Sequence, residues 1–208
     1  DRDGPGRRLD DVFDERGLLE FLMDISDALL PLPQVVDHAV VADADRARFA
    51  VGLDEGRVPG VNGNLNSIYE TSDGEVWLGT LAHGIYRITL PKNWQGGNSV
   101  PLVVKRFNKT AGLPSENRNS VHWYQQQLLF ATVRGFYRFD QHSAQFVPDT
   151  TLGAAFPDTQ PWVRYPQIDQ HNNLWLLTWD NINGSRQAGV LFADDNGLYR
   201  WQASSLQP

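Results

Sequence analysis

Three threonines set the frame of this chain. Thr80, Thr132 and Thr178 each close a short apolar run, and they recur 52 and 46 residues apart. Each is followed by a stretch that opens on glycine: Gly84-Ile85-Tyr86-Arg87, Gly135-Phe136-Tyr137-Arg138 and Gly189-Val190-Leu191-Phe192. A period near fifty residues means a stack of similar units rather than one globular core, because each unit buries its apolar faces only against its neighbours.

Each unit reads as four short strands. The first strands fall at 68–71, 121–124 and 165–168, the second at 76–80, 128–132 and 174–178. The third are the glycine-opened stretches, and the fourth fall at 102–107, 145–147 and 197–201. Polar turns join the first two strands: Ser72-Asp73-Gly74, Gln125-Gln126-Gln127 and the stretch 170–173. Asp-Gly is a strong hairpin signal because such turns need positive φ, and Asn172-Asn173 serves the same geometry at some cost. Trp77 and Trp175 hold matching positions and are expected to fill the space between units. Four antiparallel strands repeating near fifty residues predict an all-β chain, a β-propeller fragment of about three blades at about 66–108, 119–149 and 163–203. Propellers close with four to eight blades, so a longer propeller is expected.

Residues 1–55 differ from the rest. Residues 1–60 hold 14 acids against 7 bases, whereas 61–208 hold 11 against 11, and all seven Trp and six Tyr follow residue 60. Within the first part, Leu18, Leu22, Ile25 and Leu29 trace one face of a short helix that Pro31 and Pro33 stop. This short helical or irregular N-terminal segment reads equally as a linker or as a piece of a neighbouring domain. The blades are assigned to 56–208.

Composition narrows the function classes. With no cysteine there is no disulfide and no thiolate metal site. No apolar run reaches the roughly 18–20 residues a membrane helix needs, so no membrane span is expected in this chain, and no signal peptide opens it. Lys and Arg are not clustered as nucleic acid demands, so no nucleic-acid partner is expected. The five histidines show no metal-ligand spacing, and no metal or cofactor is expected.

The first unit resembles the two-component regulator propeller repeat. Ile68, Glu70, Asp73-Gly74, Val76-Trp77, Gly79-Thr80 and Gly84-Ile85 match its pattern, and Gly112-Leu113-Pro114-Ser115 is similar to its interblade linker. The second unit departs, with Gln126-Gln127 for Asp-Gly and Leu129 for Trp; the third keeps Trp175 but places Leu177 before Thr178. The resemblance covers about residues 56–203. It implies a periplasmic ligand-sensing segment of a bacterial signal-transduction sensor. In that family a kinase or cyclase output would lie in other modules, so the chain itself is expected to be no enzyme. Its partners would be a small-molecule or carbohydrate ligand and the remaining blades of the same protein, with dimerisation possible through a full-length sensor.

Propeller topology puts the loops between second and third strands on one rim with the interblade loops. Loops on a rigid scaffold carry binding groups. The candidate ligand-binding residues are therefore His83, Arg134, Trp179 and Arg186 from the former, and Arg118, Asn119 and Trp162 from the latter. Trp179 and Arg186, on a loop read as 179–187, suit a sugar or a carboxylate, since indoles stack and guanidinium forks onto acids. No residue is assigned a catalytic role. Two other readings remain. Asp194, Asn196, Gly197 and Trp201 resemble, imperfectly, the Asp-box of sialidase-like propellers, which suggests a lyase or glycoside hydrolase, although an Asp-box is mainly a turn device. A rim of this kind also serves a protein-binding scaffold.

Overall fold

The computed structural model describes residues 60–91, 102–156 and 158–204. The N-terminal segment read as a short helix, and residues 92–101 between the third and fourth strands of the first unit, lie outside them. The described chain folds into three four-stranded antiparallel sheets, each in sequential strand order. The first holds β1 (Leu65–Glu70), β2 (Glu75–Thr80), β3 (Ile85–Thr89) and β4 (Val103–Phe107). The second holds β5 (Ser120–Tyr124), β6 (Gln127–Thr132), β7 (Gly135–Asp140) and β8 (Gln145–Pro148). The third holds β9 (Trp162–Ile168), β10 (Leu174–Trp179), β11 (Arg186–Ala193) and β12 (Tyr199–Ala203). These are propeller blades, with β5 meeting β1 and β2, and β9 meeting β6 and β7, across the blade boundaries.

Apolar side chains alternate along each strand, so each sheet has two faces to bury. Trp77, Ile85 and Phe107 of the first blade meet Val121, Phe130, Tyr137 and Phe146 of the second. The second blade's opposite face, with Leu129, Ala131 and Phe136, meets Val163, Leu174, Leu176 and Leu191 of the third. Trp77 is fully buried among the rings of Phe107, Phe130, Phe139 and Phe146. It is the inter-blade filler the sequence predicts. Trp175 holds the equivalent place in the third blade. It alternates with Leu174 and Leu176, which pack on the second blade, so like Trp77 it lies on the face turned away from the preceding blade, and its indole N–H donates to Asp169 Oδ2 at 3.1 Å.

The repeated Thr and Gly have one mechanical role. Thr80 Oγ1 donates to Gly84 O at 2.8 Å and accepts from His83 N at 2.8 Å. Thr132 does the same with Gly135 O and Arg134 N, at 2.9 and 3.0 Å. Gly84 and Gly135 take φ of 78° and 81°, and their amides donate to Glu116 O and Pro161 O, each at 2.8 Å. A Cβ at Gly84 would collide with the Phe107 carbonyl oxygen. The second-to-third-strand loop of each of these blades is thus stapled to the linker that enters the next.

Several boundaries differ from the sequence reading. Gln127 belongs to β6, and the turn is Gln125-Gln126 alone, at φ 49° and 62°. Two non-glycine residues in the left-handed region cost free energy, on the order of 1 kcal/mol each. Gln125 Nε2 donates to the Tyr199 hydroxyl of the third blade, which offsets part of that cost. In the third blade Asn172 takes the positive φ, at 62°, while Asn173 donates to Asp169. A short helix α1 (Thr150–Gly153), not anticipated, is capped by Asp149, whose Oδ1 accepts from Thr151 N and Leu152 N at 2.9 Å. Most consequential is β9, which starts at Trp162 rather than 165. A bulge lets Tyr165 and Pro166 oppose one residue of β10, with Tyr165 at φ 49°. Proline lacks the ladder amide and sits at such bulges, so alternation breaks there without ending the strand.

Candidate functional site

Three strands of the third blade end together on the rim. Trp162 opens β9, Trp179 closes β10 and Arg186 opens β11. Trp162 pairs with Trp179 and Trp179 pairs with Arg186 in the ladder. The sequence reading placed Trp162, Trp179 and Arg186 in loops. They are strand residues, and the loop between β10 and β11 is only 180–185. Cross-strand partners sit close enough for their side chains to stack. The two indoles do so, with ring centroids 5.4 Å apart and planes 20° apart. The Arg186 guanidinium lies over Trp179 at 4.1 Å.

A fourth group arrives from elsewhere. Arg118, on the loop that enters the second blade, lies over Trp162 at 4.4 Å. Its backbone takes φ 58° and its amide donates to Leu81 O at 3.0 Å. Arg118, Trp162, Trp179 and Arg186 therefore form one column, cation–indole–indole–cation. Arg164, two residues along β9, adds its guanidinium over Trp162 at 4.6 Å and over Tyr165 at 4.7 Å, and donates from Nη2 to the Tyr165 hydroxyl at 2.6 Å. The sequence reading missed Arg164 because it took Trp162 as loop. The signal was present: in a strand, positions 162 and 164 share a face.

The other three candidates do not join the column. Asn119 is fully buried. Its Nδ2 donates to Ser115 O at 3.0 Å, its amide to Thr80 O at 3.1 Å, and its carbonyl accepts from Asn66 Nδ2 at 3.1 Å. Asn119 holds the loop that presents Arg118; it has no surface for a ligand. His83 is turned onto Gly63, where a Cβ would collide with its ring, and its carbonyl accepts from Arg106 Nε at 2.8 Å. Arg134 is exposed on the same rim without a ring contact among the described residues, and its charge partly offsets the burial that raises the Tyr137 hydroxyl pKa.

The rim is cross-braced. Asn181 Nδ2, from the third blade's loop, donates to Val133 O at 2.7 Å and to Gln160 O at 3.3 Å. Further along the first strands of the blades, Val121 N donates to Ser67 Oγ at 2.7 Å, and His122 Nε2 is 2.9 Å from Ser120 Oγ. Burial lowers the His122 imidazole to about 4, and the residue as a whole is half-buried.

Asp194 is a turn residue. Its Oδ1 accepts from Asn196 N and Leu198 N, both at 3.0 Å, and its Oδ2 meets Arg200 Nε at 2.9 Å. The Leu198 amide and then Arg200 hold its carboxyl below the usual carboxylate range. A carboxylate so engaged fixes the β11–β12 hairpin. Among the described residues no group of His, Asp and Glu is placed to hold a metal ion, and no helix is long and apolar enough to cross a membrane.

The architecture is that of β-propeller blades carrying a cationic, aromatic rim. Residues 59–82, through β1 and β2, match the family model described as Two component regulator propeller, the family whose repeat the first blade resembles. No curated protein matches the chain. Among solved structures the chain is similar to the extracellular domain of a protein described as the hybrid two component system BT4673 from B. thetaiotaomicron. That likeness has 26% identity and a TM-score of 0.44, over 71% of this chain and 20% of that one. A second structure, described as the extracellular domain of the one component system BT4673 from the same organism, is 15% identical. Its TM-score is 0.36, over 73% of this chain and 32% of that one. This chain spans less than a third of either, and at these TM-scores neither likeness carries an argument about arrangement or activity.

Proposed function

We propose that this chain is the ligand-sensing part of a bacterial signal-transduction sensor, exposed outside the cytoplasmic membrane. In this reading a small molecule such as an oligosaccharide docks on the rim at Arg118, Trp162, Trp179 and Arg186. The observation that carries it is the column itself. It draws residues from two blades, so occupancy alters how the second and third blades sit against each other. A change at a blade interface passes to neighbouring domains because packed interfaces are bistable rather than freely deformable. Resemblance to the two-component regulator propeller supports the signalling context. The hydrolase reading loses its motif, since Asp194 is committed to its hairpin.

The test is a glycan array probed with the chain and with its Trp179→Ala and Arg186→Ala variants. Hits should weaken by about tenfold or more in both, the worth of one stacked or charge-assisted contact. Hits bound equally by both variants refute the rim as the site.

A further inference from the structure

Arginine pairing divides this molecule into two populations. Among the described residues Arg87, Arg106, Arg138 and Arg200 each rest on a carboxylate, those of Glu75, Glu116, Asp149 and Asp194. Arg118, Arg134, Arg164 and Arg186 have no carboxylate within ion-pair distance among the described residues, and all four lie on the rim or at its inner edge. The rim's own acids do not answer them. Asp180 turns its Oδ1 onto the amides of Ile182 and Asn183, and Asp158 stands exposed without an ion pair among the described residues.

The column concentrates this positive charge. Arg118 and Arg164 sit over the same indole, so the two cations are no more than about 9 Å apart, where like charges repel unless an anion intervenes. The same stacking removes the surface on which a neutral sugar ring would rest: Trp162 is buried, and each indole already carries a guanidinium. A guanidinium stacked on an indole keeps its in-plane N–H donors free, and that edge matches a carboxylate fork.

From these contacts we infer that the rim site takes a carboxylate-bearing ligand, held by Arg118, Arg164 and Arg186 with Arg134 adding long-range attraction. The inference deepens the sensing proposal and rests on the rim being the ligand site. The indoles act as a rigid spacer that fixes the spread of the arginines; they are not the sugar platform.

Isothermal titration calorimetry of the chain tests this with three probes: trigalacturonic acid, the neutral galactose trimer and citrate. The acid trimer should bind at least about tenfold tighter than the neutral one, and this advantage should shrink as ionic strength rises. It should disappear in the triple variant Arg118→Gln/Arg164→Gln/Arg186→Gln and fall in Arg186→Gln alone, with far-UV circular dichroism confirming each fold. Arg200→Gln, whose arginine lies on the β11–β12 hairpin, should leave it unchanged. Citrate binding as tightly as the acid trimer assigns a free organic acid as the source of the carboxylate; weaker binding assigns an acidic saccharide. Equal affinity for acid and neutral trimers, or an acid preference that survives Arg186→Gln and the triple variant, overturns the inference. Absence of binding by all three probes at millimolar concentration also overturns it. A neutral glycan-array hit lost in Trp179→Ala would still leave the sensing proposal standing.

Discussion

Replacing Trp77 by alanine removes the ring that joins the first two blades. Trp77 is fully buried, so the change withdraws on the order of 140 Å² of apolar surface from the core, worth about 3.5 kcal/mol at 25 cal/mol per Å². The cavity adds to this, since Phe107 stacks on the indole with centroids 5.6 Å apart and Phe130 meets its edge at 5.4 Å. Neither ring can follow the shrinking side chain without leaving the others. Arg87, over the indole at 5.5 Å, also loses its partner. Large aromatic-to-alanine changes in cores cost about 3–5 kcal/mol, and the upper half of that range is expected here, about 4 kcal/mol. Urea unfolding followed by far-UV circular dichroism reads it. With an m-value of about 2 kcal/mol per molar, the midpoint should fall by about 2 M. Trp77→Phe, which keeps a ring in the cluster and gives up the 3.3 Å bond to Glu75, should lose less than half as much. A midpoint shift under about 0.5 M for Trp77→Ala, at unchanged m, refutes the claim that this ring ties the blades together.

Two glycines of equal backbone geometry should behave differently. Gly84→Ala meets both a positive φ of 78° and the Phe107 carbonyl, and should cost about 3 kcal/mol, whereas Gly74→Ala, at φ 83° in open space, should cost about 1 kcal/mol; thermal melts rank them. His122 supplies a pH window. Its folded pKa of about 4 lies below the unfolded value near 6.5, so the unfolded chain takes up the proton first, and stability is lost as pH falls from about 6.5 to about 4. The loss is about 3 kcal/mol at most, less because the residue is only half-buried. Urea midpoints measured across that window should slope in the parent and flatten in His122→Gln, and an unchanged slope assigns the effect to other groups.

The scaffold was legible because its signals are local. Asp73-Gly74, the Thr80–Gly84 bracket and its copy at Thr132–Gly135 are each complete within a few residues, so their backbone chemistry survives any tertiary context. Half-local features were read less well. The bulge at Tyr165-Pro166 interrupts the alternation along β9, so residues 162–164 do not continue the period of 165–168 and Trp162 reads as a loop residue. Asn119 looked like a rim donor from its place in the loop, yet its hydrogen bonds all point inward and make it a brace.

By itself the sequence determined that this chain builds four-stranded units of about fifty residues, where their turns fall, and which loops share a rim. Only the tertiary structure decided what those units present to one another. Trp77 and Leu129 hold matching repeat positions on equivalent faces, but which side chains of the next blade meet them, Phe130 and Phe146 in one case and Val163, Leu174 and Leu191 in the other, depends on how the sheets stack. The column likewise needs Arg118 to cross from the loop that enters the second blade to an indole of the third. Strand pairing is a short-range rule that residues carry with them. The meeting of side chains from separate blades is set by how sheets twist and stack, and no local stretch of sequence encodes it.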